Sequence, residues 1–116
     1  MVRSSIKPIE DLDKLPFPDY SLVRGLPKNP SVTFMNTSRG CPYDCKFCAV
    51  VKMHGRHYRF RSPESVIEEL KQRMPIKNRL FFTDDNFIAN KQRAKQIIRM
   101  MRDENLIPDN WWGTQM

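Results

Sequence analysis

The segment Cys41-Pro42-Tyr43-Asp44-Cys45-Lys46-Phe47-Cys48 gathers all three cysteines of the chain, spaced CxxxCxxC. Three thiolates on one tight loop can hold three corners of a cubane iron-sulfur cluster, and no fourth Cys exists for the last iron. That iron is left open for a ligand, which argues for substrate or cofactor chemistry at the cluster rather than simple electron transfer. The competing reading is a zinc site of the three Cys with His54 or His57. His54 follows Cys48 closely enough to reach, but the pattern matches none of the usual paired zinc spacings. An odd, clustered set of cysteines is a poor disulfide framework.

The net charge of +7 in 116 residues is unevenly spread. Between residues 39 and 61, Arg39, Lys46, Lys52, Arg56, Arg59 and Arg61 face Asp44 alone. Such a patch can meet phosphates, an anionic cofactor or an acidic neighbouring domain, and it can equally be a solvated face. Joined to the zinc reading, it gives an alternative function, a zinc-stapled basic module that binds nucleic acid. With 40% hydrophobic residues the chain is not a disordered tail, and no apolar run approaches the ~18 residues of a membrane span. The first residues lack the apolar stretch of a secretory signal, so a cytoplasmic location is expected.

The cysteines must be positioned by the elements around them. Over residues 1–30, five prolines interleave with Leu12, Leu15, Phe17, Leu22 and Leu26, which predicts an extended connector packed along something larger. Ser31–Thr37 is rich in β-formers and reads as a strand. Ser62, Pro63 and Glu64 open a helix whose apolar face is Val66, Ile67, Leu70 and Met74 and which Pro75 ends. Leu80–Thr83 is a second strand, stopping at Asp84-Asp85-Asn86. A second helix, capped by Asn90, carries Ala94, Ile97, Ile98 and Met101 on one face and closes at Asn105 and Pro108. A third strand starts at Trp111-Trp112, with one ring on each face of the sheet.

Strand, helix, strand, helix, strand predicts right-handed crossovers and a parallel sheet. Parallel sheets need cover on both faces or closure into a barrel, so residues 31–116 read as the first two to three βα units of a truncated TIM-like barrel. Function in such folds gathers at the carboxyl ends of strands. Cys41 and Asp84-Asp85-Asn86 both occupy such ends and are expected to face one cavity.

These residues resemble the radical S-adenosylmethionine (SAM) superfamily, whose hallmark CxxxCxΦC has an aromatic where Phe47 stands. The resemblance implies an enzyme built on a (β/α)6 partial barrel. Cys41, Cys45 and Cys48 would ligate a 4Fe-4S cluster, the amine and carboxylate of SAM would chelate the open iron, and Phe47 would lie near SAM. One electron from the reduced cluster would cleave SAM to methionine and a 5'-deoxyadenosyl radical, with flavodoxin or ferredoxin as the source of electrons. Where the family commonly carries Gly-Gly-Glu for the SAM amine, this chain has Thr83-Asp84-Asp85-Asn86, and an acceptor of Asp84, Asp85 or Asn86 would serve. Leu12-Asp13-Lys14-Leu15-Pro16-Phe17-Pro18-Asp19-Tyr20, Tyr58-Arg59-Phe60-Arg61-Ser62-Pro63-Glu64 and Asp84-Asp85-Asn86-Phe87 are similar to the branch that joins a cobalamin-binding domain to the barrel. That likeness implies cobalamin on a preceding domain and a methyl transfer or related reaction on a small-molecule substrate. Radical SAM enzymes that modify tRNA also present basic surfaces, so an RNA substrate stays open. The piece alone is expected to bind the cluster, and SAM at best, without turnover.

Overall fold

The structure, a computed structural model, describes residues 8–25, 31–73 and 79–115. Strand β1 (Thr33–Met35) leads into a short β2 (Ser38–Arg39), helix α1 (Val50–His54) and β3 (Arg59–Phe60). Helix α2 (Pro63–Arg73), β4 (Arg79–Phe82), α3 (Lys91–Asp103) and β5 (Trp111–Thr114) complete the order. β4 pairs in parallel with β1 on one side and β5 on the other, with Met35 opposite Phe82 and Leu80 opposite Trp112. This is the expected α/β fold with a parallel sheet in sequence order, compatible with part of a barrel.

The helices form where their caps and apolar spacing place them. Ser62 accepts the Ser65 N–H at the start of α2, and Asn90 accepts the Arg93 N–H at the start of α3. At the far end of α3, Asn105 turns left-handed at φ 55° and the Leu106 N–H closes on the Met101 carbonyl. Met74 and Pro75 lie outside the described residues, as do Leu26, Pro27 and Pro30.

One core lies between the sheet and the two longer helices. Met35, Leu80 and Phe82 come from the sheet, Val66, Ile67 and Leu70 from α2, and Ala94, Ile97 and Met101 from α3. Phe82 is fully buried, stacked on Phe87 at 4.8 Å and met edge-on by Trp112 at 6.3 Å. Phe82→Ala is therefore expected to cost about 3–5 kcal/mol of unfolding free energy, read from urea denaturation. A loss under about 1 kcal/mol would contradict this packing.

The two tryptophans alternate as expected. Trp112 packs on the core, whereas Trp111 lies half exposed on the other face, stacked on Phe81 at 6.0 Å. A Cβ at Gly113 would collide with the Trp111 ring, so glycine is what lets that ring lie along the sheet.

Two parts of the local structure differ from the sequence expectation. The cysteine segment is enclosed by an antiparallel β2–β3 hairpin and contains the short α1, neither of which the periodicity indicates. Strands of two residues are too brief to show an alternation, and α1 is barely longer than one turn. The connector is not extended throughout, because Asp11 and Asp19 each accept a backbone N–H two residues on and nucleate 3-10 turns at Leu12–Lys14 and Tyr20–Leu22.

Candidate functional site

The cysteine loop leaves the sheet through a pinned neck. Ser38 and Arg39 pair with Phe60 and Arg59, which brings the two ends of the loop together. Gly40 sits at φ +83°, and a Cβ there would run into the His57 backbone carbonyl. Both facts demand glycine. Gly40→Ala is expected to cost at least the ~1–2 kcal/mol of a left-handed alanine. Thermal unfolding would show it, and an unchanged midpoint would contradict the pinned neck. Beyond Gly40, Cys41 and Cys48 are half-buried, Cys45 is exposed, and all three thiols are free. The Cys48 N–H bonds the Cys45 carbonyl at 2.9 Å, so the last two cysteines share one turn. Phe47 stands between them almost fully exposed, at 94%.

The end of β4 comes to this neck. Asp85 Oδ2 accepts the Gly40 N–H at 3.1 Å, beside Cys41. Asp84 is fully buried. Its Oδ1 accepts the Thr37 N–H and the Thr37 hydroxyl, each at 3.0 Å, and the Ser38 hydroxyl as well. Burial raises the Asp84 pKa, against the opposing pull of those hydrogen bonds and of the Arg93 charge. Asn86 accepts the Tyr58 hydroxyl on its backbone carbonyl at 3.3 Å, and its buried Oδ1 has no partner among the described residues. The structure thus brings Asp85 and the cysteine neck together, and directs Asp84 inward as a structural acceptor.

Arg93, on α3, was not singled out by any motif. It is buried, and it donates from Nε to the Arg61 carbonyl at 2.8 Å and from Nη2 to the Thr37 carbonyl at 2.9 Å. Burial lowers its pKa, yet a guanidinium stays protonated across the ordinary pH range. A basic residue falling on the apolar face of α3, next to Ala94, is the signal that could have found it.

The basic residues 39 to 61 divide in the same way. Arg61 is buried and ion-paired with Glu69, which also binds Arg73. Phe17 and Tyr20 of the connector lie over these guanidiniums, at 5.0 Å from Arg61 and 4.2 Å from Arg73. Arg59 donates to the Ile9 carbonyl at 2.6 Å, and Arg56 pairs with Asp44. Asp13 accepts the Ser62 N–H at the start of α2 at 2.9 Å. Burial alone would raise Asp13, but the bonds from Ser62 and Ser65 and the Arg61 charge outweigh it and hold its pKa below the ordinary value. Its contribution is therefore present above the unfolded-state carboxylate pKa and is lost as pH falls through the lower folded value. Connector docking, followed by hydrogen exchange at Ser62, is expected to weaken in acid, and Asp13→Asn should flatten that dependence.

Among the described residues, no three His, Cys, Asp or Glu side chains are gathered round one metal ion. His57 instead faces Glu10 at 3.7 Å. A cubane cluster takes one thiolate at each of three irons, so its ligands surround a body rather than meet at a point. Three free thiols within eight residues, on a loop whose ends are clamped, suit that donor set.

The radical SAM superfamily model matches residues 35–112, most of the chain, from β1 to Trp112 of β5. This chain belongs to the radical SAM superfamily. Among curated relatives, it is 33% identical over 90 residues to a hopanoid C-2 methylase of Rhodopseudomonas palustris, covering 76% of this chain and 17% of that protein. It is 39% identical over 107 residues to an uncharacterized methyltransferase of Pyrococcus horikoshii, covering 84% and 22%. An anaerobic magnesium-protoporphyrin IX monomethyl ester cyclase of Rubrivivax gelatinosus is 39% identical over 69 residues, covering 55% and 12%. The chain spans about a fifth of the length of such relatives. No solved structure matches it. Membership of this superfamily, together with the placement of His57, does not favour the zinc-stapled nucleic-acid module. No described helix is long and apolar enough to cross a membrane.

Proposed function

We propose that this chain is the cluster-bearing part of a radical SAM enzyme, with Cys41, Cys45 and Cys48 as the ligands of a 4Fe-4S cluster whose fourth iron takes SAM. The observation that carries this reading is the donor set itself: three free thiols on one clamped loop, beside the carboxyl end of β4, inside the span matched to the superfamily. A cluster held by Cys41, Cys45 and Cys48 would supply the single electron for reductive cleavage of SAM.

The residues of the chain divide the remaining work. Gly40 turns the loop out of the hairpin so that Cys41 begins it, and Asp85 holds that turn through the Gly40 N–H. With Asp84 Oδ1 already taken by three donors, the acceptors left for the SAM amine are Asp84 Oδ2, which has no partner among the described residues, and those of Asp85 and Asn86. Phe47, exposed between Cys45 and Cys48, would lie near bound SAM, where an aromatic ring would help to keep water from the reacting bond. Relatives named as methylases and a cyclase support methyl transfer or ring formation on a small molecule. We extend the reading to cobalamin on a preceding domain, which the connector residues Leu12–Tyr20 would join to the barrel, to a flavodoxin or ferredoxin as reductant, and to a cytoplasmic setting.

Anaerobic reconstitution with iron and sulfide, followed by electron paramagnetic resonance of the reduced protein with and without SAM, tests the proposal. A 4Fe-4S signal that changes on adding SAM is the expected result. Stoichiometric zinc with no iron uptake would overturn it.

A further inference from the structure

Arg93 and Asp84 are both buried, and both bond to the segment that leads into Cys41. Arg93 reaches from α3 to two carbonyls, of Thr37 before the loop and of Arg61 after it. Asp84 reaches from the end of β4 to the N–H and hydroxyl of Thr37 and to the hydroxyl of Ser38. The Arg61 N–H closes on the Thr37 carbonyl at 2.9 Å, so both strands of the hairpin are tied to one point. Thr37 therefore has its N–H, its hydroxyl and its carbonyl all engaged, and it is fully buried.

Charge makes this arrangement specific. Oppositely charged side chains from two different elements are held in a low-dielectric position, where hydrogen bonds to charged groups are the strong ones. The planar guanidinium spans two carbonyls at once, which the single ammonium of a lysine would do less well. The hydrophobic core alone would not need such groups, since buried charges add little to stability over well-packed apolar residues. What they add here is a defined position for the Thr37–Gly40 backbone.

We propose that Arg93 and Asp84 are positioning residues, a two-sided brace that sets where Cys41 enters the loop and hence where its thiolate meets the cluster. Cys41 is three residues beyond Ser38, whereas Cys45 and Cys48 lie farther along the loop on their own turn. The brace therefore acts on Cys41 more than on the other two. The inference rests on the iron-sulfur reading for its role, but its mechanical part is visible in the chain without iron.

The test compares wild type, Arg93→Met, Arg93→Lys and Ser38→Ala. In the iron-free chain, the alkylation rate of each cysteine by iodoacetamide is followed by mass spectrometry, with circular dichroism as the check on folding. Arg93→Met and Ser38→Ala are expected to raise the Cys41 rate roughly tenfold relative to Cys45 and Cys48, the size set by losing hydrogen bonds to charged groups. Arg93→Lys is expected to fall between wild type and Arg93→Met. If Arg93→Met does not fold, Ser38→Ala, which removes one hydroxyl and leaves both charges, decides. An unchanged ratio in a folded Ser38→Ala chain, or equal acceleration of all three thiols, would overturn the brace. In the reconstituted protein the same variants are expected to shift the g-values of the reduced cluster at unchanged iron content. Failure of the wild type to take up iron would sink the cluster assignment instead, while the Cys41 ratio would still decide the brace.

Discussion

Cys45→Ala is expected to abolish stable cluster assembly while leaving the fold intact. The Cys45 side chain is exposed and its thiol is free, so the substitution belongs with surface changes worth within about 0.5 kcal/mol of stability. Its effect on iron is of another order. Loss of an outer-sphere partner alone costs ~10–100-fold in metal affinity at a typical site, and loss of a ligand costs more. Iron per chain after anaerobic reconstitution and desalting, measured beside the thermal midpoint, separates the two quantities. The expected outcome is a midpoint close to wild type with iron reduced at least tenfold. A variant that keeps its iron and its SAM-sensitive signal would remove Cys45 from the ligand set, and with it the proposed chemistry.

Glu69→Ala should cause the largest loss of stability among charged positions. The Glu69 side chain is 3% exposed and lies between Arg61 and Arg73, at 10% and 12%. Removing the carboxylate leaves two guanidiniums together without their anion, and breaking a buried pair in this way costs about 3–5 kcal/mol. The damage should extend to the connector, because Phe17 and Tyr20 rest on those guanidiniums. Glu69→Gln, which keeps an acceptor and the volume, should cost less. Urea denaturation gives the free energies, and hydrogen exchange at Leu12–Leu15 reports connector docking. A Glu69→Ala loss below about 1 kcal/mol would mean that the triad is weakly coupled and that the connector is held mainly by Leu12 and its apolar neighbours.

The contrast between these two residues shows which features can be read along a chain. Cys45 is legible because thiol spacing is local: CxxxCxxC puts three cysteines on one loop, the donor set proposed for a cluster, before any fold is known. The α2 and α3 faces are legible for the same reason, since Val66, Ile67 and Leu70, and Ala94, Ile97 and Met101, recur at helical spacing with Ser62 and Asn90 as caps. The parallel sheet then follows from the alternation of elements. Glu69 follows Glu68 in the polar part of its helix, and spacing alone places it on the solvent face. It is buried because Arg61 and Arg73 reach it and the connector covers them.

Sequence alone thus determined the two longer helices, the three strands of the parallel sheet and the residues proposed to ligate a cluster. All of these depend on neighbours a few positions apart, through helical period, caps and loop length. Tertiary structure alone decided the division of labour at the end of β4, where Asp84 turns inward to Thr37 and Ser38 while Asp85 holds Gly40. It also decided that Arg93, more than fifty residues beyond the carbonyl of Thr37, would bond to it. Such pairings cannot be read from spacing, because a buried charge takes whichever partner the fold brings within reach, and only there is its desolvation offset.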